Sequence, residues 1–155
     1  MELEKIHWIR KSGYVSLVLR VVVAIIFLYT GMIKLQNPGE FAVSIQNYQI
    51  IPVALTNLIA IILPWIEIFS GCLLIFGVYS RASAVILSIL TGIFIIAMFS
   101  AYLRGLNIDC GCYGPGATID IYKILLDVLL LLFSIHLVIY PSRMISLDHL
   151  LKRLP

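Results

Sequence analysis

The chain has 155 residues, 61% of them hydrophobic and 12% charged, with a mean hydropathy of +1.05, a composition that excludes an ordinary soluble domain. Its formal charge of +3 comes from scattered lysines and arginines without a dense basic tract, which excludes a nucleic-acid partner and leaves membrane lipid as the expected surround. At about 20 apolar residues per crossing, four or five spans with short connections fill the length, leaving no separate soluble domain.

In chain order, the leading segment carries basic residues before an apolar run, as a signal peptide does. The run is about 20 residues long and lacks a small-x-small cleavage site, so it is expected to stay as an anchor. The first span is expected over residues 14–34, with Arg20 inside it and Lys34 at its end. Asn37-Pro38-Gly39-Glu40 then offers a capping Asn, a Pro for the first helical position and a Glu three residues after the cap. A short helix starts there, and Phe41, Ile45 and Tyr48 recur along it at helical spacing. It reads as an interfacial linker at the membrane surface in preference to a lid over a site. The second span, 53–77, contains Pro64 and Glu67; the third covers 82–103; the fourth covers 121–140 and stops at Pro141. The expected fold is therefore all-α: one domain over 1–155, a four-transmembrane-helix bundle with a short interfacial helix in the first outer loop.

Four spans place both termini on one side. Lys5, Arg10, Lys11, Arg81, Arg143, Lys152 and Arg153 fall on that side, against Lys34, Arg104 and Lys123 on the other, which predicts cytoplasmic termini. The loops 35–52 and 104–120 then face outward, in a bacterium toward the periplasm or cell exterior, and the cysteines of the second loop meet an oxidising compartment.

Those cysteines are the strongest chemical signal. Cys110 and Cys112 are separated only by Gly111, close enough to bridge, and the glycine relieves the strain of so small a ring. A small strained disulfide is easier to reduce than a structural one, which suits an electron relay. The stretch from Asp109 to Gly116 is dense in turn formers, so the sulfurs are expected in an exposed tight loop; Asp109 would raise the neighbouring thiol pKa and Arg104 would lower it. Three alternatives stand beside the relay. A structural bridge would close too small a loop to constrain the unfolded chain much. A zinc site would need two further ligands, but Cys72 lies within the second span and no histidine falls in the outer loops, so no metal is assigned. Inert thiols suit an oxidising face poorly.

On the second span, Asn57, Pro64, Glu67 and Gly71 project within one face about 80° wide, expected to point inward. A carboxylate at that depth is costly unless paired or protonated, making Glu67 a functional candidate, with Arg20 on the antiparallel first span as its expected partner. A packing ion pair and a proton-handling role both remain open. On the fourth span Asp120, Lys123 and Asp127 share a stripe, with Lys123 and Asp127 spaced for an ion pair; Asp127 is read as packing or anchoring, with protonation of a site under the cysteine loop as the alternative. Trp65 and His136 are too isolated to support a cofactor, and Gly31, Gly71 and Gly92 are expected to permit close helix contact.

Along nearly its whole length the chain resembles the MauE branch of the DoxX-like membrane proteins. Gly31-Met32-Ile33-Lys34-Leu35, with Pro38 and Phe41 following, resembles the end of that family's first helix, and Asn47-Tyr48 with Pro52 its first outer loop. Pro64-Trp65-Ile66-Glu67 with Gly71 resembles the second-helix signature, and Arg104-Gly105-Leu106 leading to Asp109-Cys110-Gly111-Cys112 the cysteine loop; Tyr113 stands where Phe is expected. The resemblance implies periplasmic disulfide formation during maturation of methylamine dehydrogenase, with a thioredoxin-like partner. The expected activity is a thiol-disulfide relay through Cys110 and Cys112, with Asp109, Gly111, Glu67, Arg20, Lys34 and Asp127 in supporting places. A quinone is the candidate terminal acceptor, other membrane redox subunits are candidate partners, and an oligomer is compatible. The rival readings are a non-catalytic assembly subunit of a membrane redox complex and a small transporter or proton conduit built around Glu67.

Overall fold

A computed structural model describes residues 2–106, 108, 110–111 and 120–140, with side chains from residue 13 onward. Five helices follow in order: α1 Glu2–Gln36, α2 Pro38–Asn47, α3 Val53–Phe76, α4 Ser80–Leu103 and α5 Ile121–Ile139. Four contain stretches long and apolar enough to span a bilayer, Gly13–Gln36, Val53–Phe76, Ser80–Leu103 and Ile121–Ile139. The chain is a multi-pass membrane protein, and its spans fall within a few residues of those read from hydropathy.

Each boundary has a local cause. Pro38 lacks the N–H that would continue α1 and disfavours helical backbone at Asn37, so the chain breaks there and restarts as α2 with the proline in its first turn. Asn37 occupies the cap, as its sequence context suggests, but its side chain makes no capping bond; its carbonyl instead accepts from Phe41 N at 3.1 Å. α3 ends at Gly77 (φ +68), after which Val78 N reaches back to Leu73 O at 3.0 Å, a Schellman closure needing the left-handed region that glycine enters freely. The Asp120 carboxylate accepts from Ile121 N at 2.7 Å and opens α5.

The four long helices form a ring in which α1 packs on α3, α3 on α4, α4 on α5 and α5 on α1, while α2 leans on α3. Gly31 of α1 lies against Pro64 and Ile68 of α3, and Gly71 lies against Ala24 and Leu28, so the two helices run antiparallel. A Cβ on Gly31 would stand 2.8 Å from Ile68 Cγ1, and one on Gly71 would stand 3.1 Å from Leu28 Cγ, which explains both glycines as close-contact residues. Gly92 has open space around it, so the expectation of a helix contact there is corrected. The Ser16 hydroxyl donates to Tyr140 O at 2.6 Å, joining the start of the first span to the end of the last. The described chain therefore enters and leaves the bundle at one end, and α2 with the described residues after α4, up to Cys110 and Gly111, caps the other.

The outward faces carry large apolar side chains such as Val18, Ile25, Phe69, Ile96 and Leu125, all exposed, as lipid-facing surfaces require. Inside, an apolar cluster of Val23, Phe27, Leu74, Leu87 and Leu130 fills the half near the termini, and a second of Tyr48, Met98, Ala101, Cys110 and Ile124 fills the capped end.

Candidate functional site

Between these clusters lies a polar layer. Lys34 and Glu67 are both almost fully buried, and Lys34 Nζ donates to Glu67 Oε1 at 2.5 Å. In antiparallel helices this meeting follows from side-chain direction: each Cα–Cβ bond tilts toward its own N-terminus, so Lys34 leans inward along α1 while Glu67 leans outward along α3. Gly31, one turn from Lys34, lets the backbones approach, with its notional Cβ 3.4 Å from Glu67 Cβ. The ammonium also stands 5.1 Å from the Phe41 ring centre and 4.7 Å from that of Phe94, two π faces that replace part of its lost hydration. A cavity of about 30 Å³ adjoins the pair, lined in part by Thr30, Thr91 and Asp127, with room for one or two waters. The hydroxyls of Thr30 and Thr91 turn back to Phe27 O and Leu87 O on their own helices. Glu67 Oε2 is buried without a hydrogen-bond partner among the described residues.

At the capped end the cysteine loop is held through main-chain atoms. Cys110 is buried, which corrects the expectation of an exposed loop at this sulfur, and its carbonyl accepts from the Tyr48 hydroxyl at 2.8 Å. Tyr48 is itself fixed, because the Arg104 guanidinium at the end of α4 donates to its carbonyl. Gly111 adopts φ +70, and a Cβ there would stand 2.9 Å from Ser44 Cβ and 3.4 Å from Phe41 Cδ2. Backbone angle and space thus both call for glycine at this position. Phe41, Ile45 and Tyr48 are buried, so the apolar side of α2 is turned onto the bundle and the cysteine loop. The short helix read between the first two spans is present, with its apolar side on the bundle. Burying apolar area on α3 and pairing a backbone carbonyl on the loop both favour this seating.

The family model for the methylamine utilisation protein MauE matches residues 12–140. The chain belongs to the MauE family. It is 29% identical over 99 residues to the methylamine utilization protein MauE of Paracoccus denitrificans, a match covering 63% of this chain and 53% of that protein. The chain thus spans about half the length of that curated relative. No solved structure matches.

In this MauE-family chain the sequence candidates divide into two groups. Lys34, Glu67 and Asp127 come together around the small cavity. Cys110 and Gly111 lie beneath α2; Asp109 and Cys112 fall outside the described residues. The expected Arg20–Glu67 pair is corrected. Gly31 is the α1 residue abutting Glu67, and Arg20 lies 11 residues before it, about 16 Å away along a helix rising 1.5 Å per residue. Arg20 is buried at the end of the bundle near the termini instead. Lys34, counted among the outer-loop cations, is a bundle residue. Asn57 is exposed, because the buried stripe of α3 runs through Thr56, Ala60, Pro64, Glu67, Gly71 and Leu74 and leaves Asn57 at its edge, near the helix end where water hydrates an amide. The hydrogen bonds of Arg104 go to Tyr48 O and Ser100 O, which makes it a brace for the loop's support.

Sequence reasoning missed Tyr48 and Arg104 as supports of the cysteine loop, since a bond to a main-chain carbonyl leaves no side-chain signature. It also missed the Lys34–Glu67 pair. A signal was present there: Gly31 with Lys34, and Pro64 with Glu67, are each three residues apart and so share a helix face.

Proposed function

We propose that the protein is a membrane-embedded thiol-disulfide redox protein whose Cys110-Gly111-Cys112 segment exchanges electrons with an extracytoplasmic thioredoxin-like protein or a client. One thiolate attacks a partner disulfide sulfur to form a mixed disulfide. The second then attacks the bridging cysteine, so that the partner leaves as a dithiol and the pair is left bridged; run in reverse, the pair is reduced and the partner oxidised. The observation carrying this reading is the seating of Cys110 and Gly111 against α2. Tyr48 anchors the loop by its backbone and leaves the sulfur uninvolved in that bond, and glycine supplies the turn a Cys-x-Cys ring needs. The cleft beside Gly111, whose wall carries Asn37, Glu40 and Asn47 among apolar residues, gives an approach from the capped end. The positive-inside bias supports an outward-facing capped end, and the name of the Paracoccus relative supports a place in methylamine utilisation.

The test is trapping. With Cys112→Ser or Cys110→Ser, one single variant is expected to accumulate a mixed disulfide with a thioredoxin-like protein supplied in its disulfide form, and the double variant none. Equal recovery of the partner by a bond insensitive to reductant in all three would reject the relay.

A second reading is favoured by the unpartnered Glu67 Oε2 beside a water-sized cavity: proton handling within the bundle. Glu67→Gln with unaltered proton movement in reconstituted vesicles rejects it.

A further inference from the structure

α2 does more than cover the loop. It divides the approaches to it into two chambers, one almost wholly apolar and one that also carries polar side chains, with Phe41 and Ser44 lining both. One is a cleft of about 600 Å³ that reaches Gly111 and whose largely apolar wall also carries Lys34, Asn37, Glu40 and Asn47. The other, about 270 Å³, lies between α2, α3 and α4 and reaches Cys110, and apart from Ser44 and the Tyr48 side chain it is walled by carbon, with Leu63 and Ala97 among its lining. Its rim is formed by Ile50, Ile93 and Ile96, all exposed on the lipid-facing surface. Ile93 and Ala97 fall in the half of α4 nearer the cysteine loop, so the chamber sits toward that end of the third span. A water-soluble oxidant would have to shed its hydration to enter, whereas a flat lipophilic ring arriving through the bilayer loses nothing.

We infer that this apolar chamber is the binding site of a lipid-soluble quinone that accepts the electrons of the cysteine pair. The inference rests on the thiol relay and adds its membrane-side acceptor and the place where that acceptor sits. A relay that forms disulfides in others must itself be reoxidised, and Cys110 is the redox-capable side chain lining this chamber. The step balances. Two S–H bonds break and one S–S bond forms between Cys110 and Cys112, while two electrons and two protons pass to the quinone, which leaves as the hydroquinone with two new O–H bonds. The partition by α2 keeps the hydrophilic thiol partner and the lipophilic acceptor on separate faces of one short loop, so neither has to leave for the other to bind.

The experiment uses the full chain in lipid nanodiscs with two readouts. In the first, a photoreactive azidoquinone is crosslinked to the variant with both Cys110 and Cys112 changed to Ser, and labelled peptides are mapped. Labelling is expected on the α3 and α4 segments around Leu63 and Ala97, displaced by excess decyl-benzoquinone and lost in Ala97→Phe and Leu63→Trp. Labelling spread evenly over the lipid-facing helices and untouched by these variants overturns the site, an acyl chain then being its occupant. In the second, dithiol protein with native cysteines is mixed with decyl-benzoquinone, and quinol formation is followed. Ala97→Phe is expected to slow it at least ten-fold while oxidation by diamide, which comes from water, keeps its rate and so certifies the loop. Equal quinone rates in wild type and Ala97→Phe overturn the proposal. Specific labelling without any quinol from the native dithiol leaves the chamber as a quinone site and rejects the relay on which its role as acceptor rests.

Discussion

The two regions that concentrate this protein's chemistry are built on opposite principles. Around Lys34 and Glu67, side chains satisfy side chains: an ion pair, two aromatic faces and a small cavity, all inside the bundle. Around Cys110 the main chain is held, by a tyrosine hydroxyl on a carbonyl and by a glycine that fits where no other residue does, and the sulfur takes no part in either of these contacts. The first arrangement fixes helix register and resists change. The second positions a loop through its main chain. The two neighbouring layers of one bundle are therefore expected to respond differently to substitution.

The largest effect is expected in the ion-pair layer. Glu67→Ala strands the Lys34 ammonium in a buried site and is expected to cost about 3–5 kcal/mol, read as a lower unfolding midpoint in detergent. Adding Lys34→Met to Glu67→Leu removes both charges and should restore most of the loss; a double variant as unstable as the single one would break the assignment of this layer to packing. Next comes Gly111→Ala, which forces a left-handed residue at about 1–2 kcal/mol and presses a methyl group into Ser44. The expected readout is local: faster alkylation of Cys110 as loop and α2 separate, with the global unfolding midpoint nearly kept. Tyr48→Phe deletes the bond to the Cys110 carbonyl for about 1 kcal/mol and should move alkylation in the same direction by less. Gly92→Ala meets open space on α4 and is expected to be neutral or to stabilise by up to about 1 kcal/mol; a destabilised variant would contradict the described surroundings of that residue.

The architecture was legible because the bilayer enforces it: a span needs a long apolar run, and Pro38 and Gly77 punctuate the chain wherever their backbone limits apply. What escaped was depth. Composition places Arg20 and Lys34 on the same helix but does not say which of them meets Glu67, and a lysine at a span end ordinarily reaches for the headgroups. Packing at Gly31 sets the register that decides it. Within the candidate site, the Cys-Gly-Cys motif was visible as a sequence, but the seating of Cys110 and Gly111 under α2 depends on Tyr48 and Arg104, residues 56 positions apart whose contacts run through backbone oxygens. The two chambers arise from how α2 tilts onto α3, a matter of tertiary packing that periodicity in one helix does not contain.

The central claim concerns sulfur chemistry at the capped end, and the most direct measurement counts accessible sulfurs in intact cells with a membrane-impermeant maleimide, before and after mild reduction. Gel shifts are expected to show no label beforehand and two sulfurs labelled afterwards, both lost in the double serine variant. Two sulfurs labelled without reduction, or none under any mild reductant, would contradict the account.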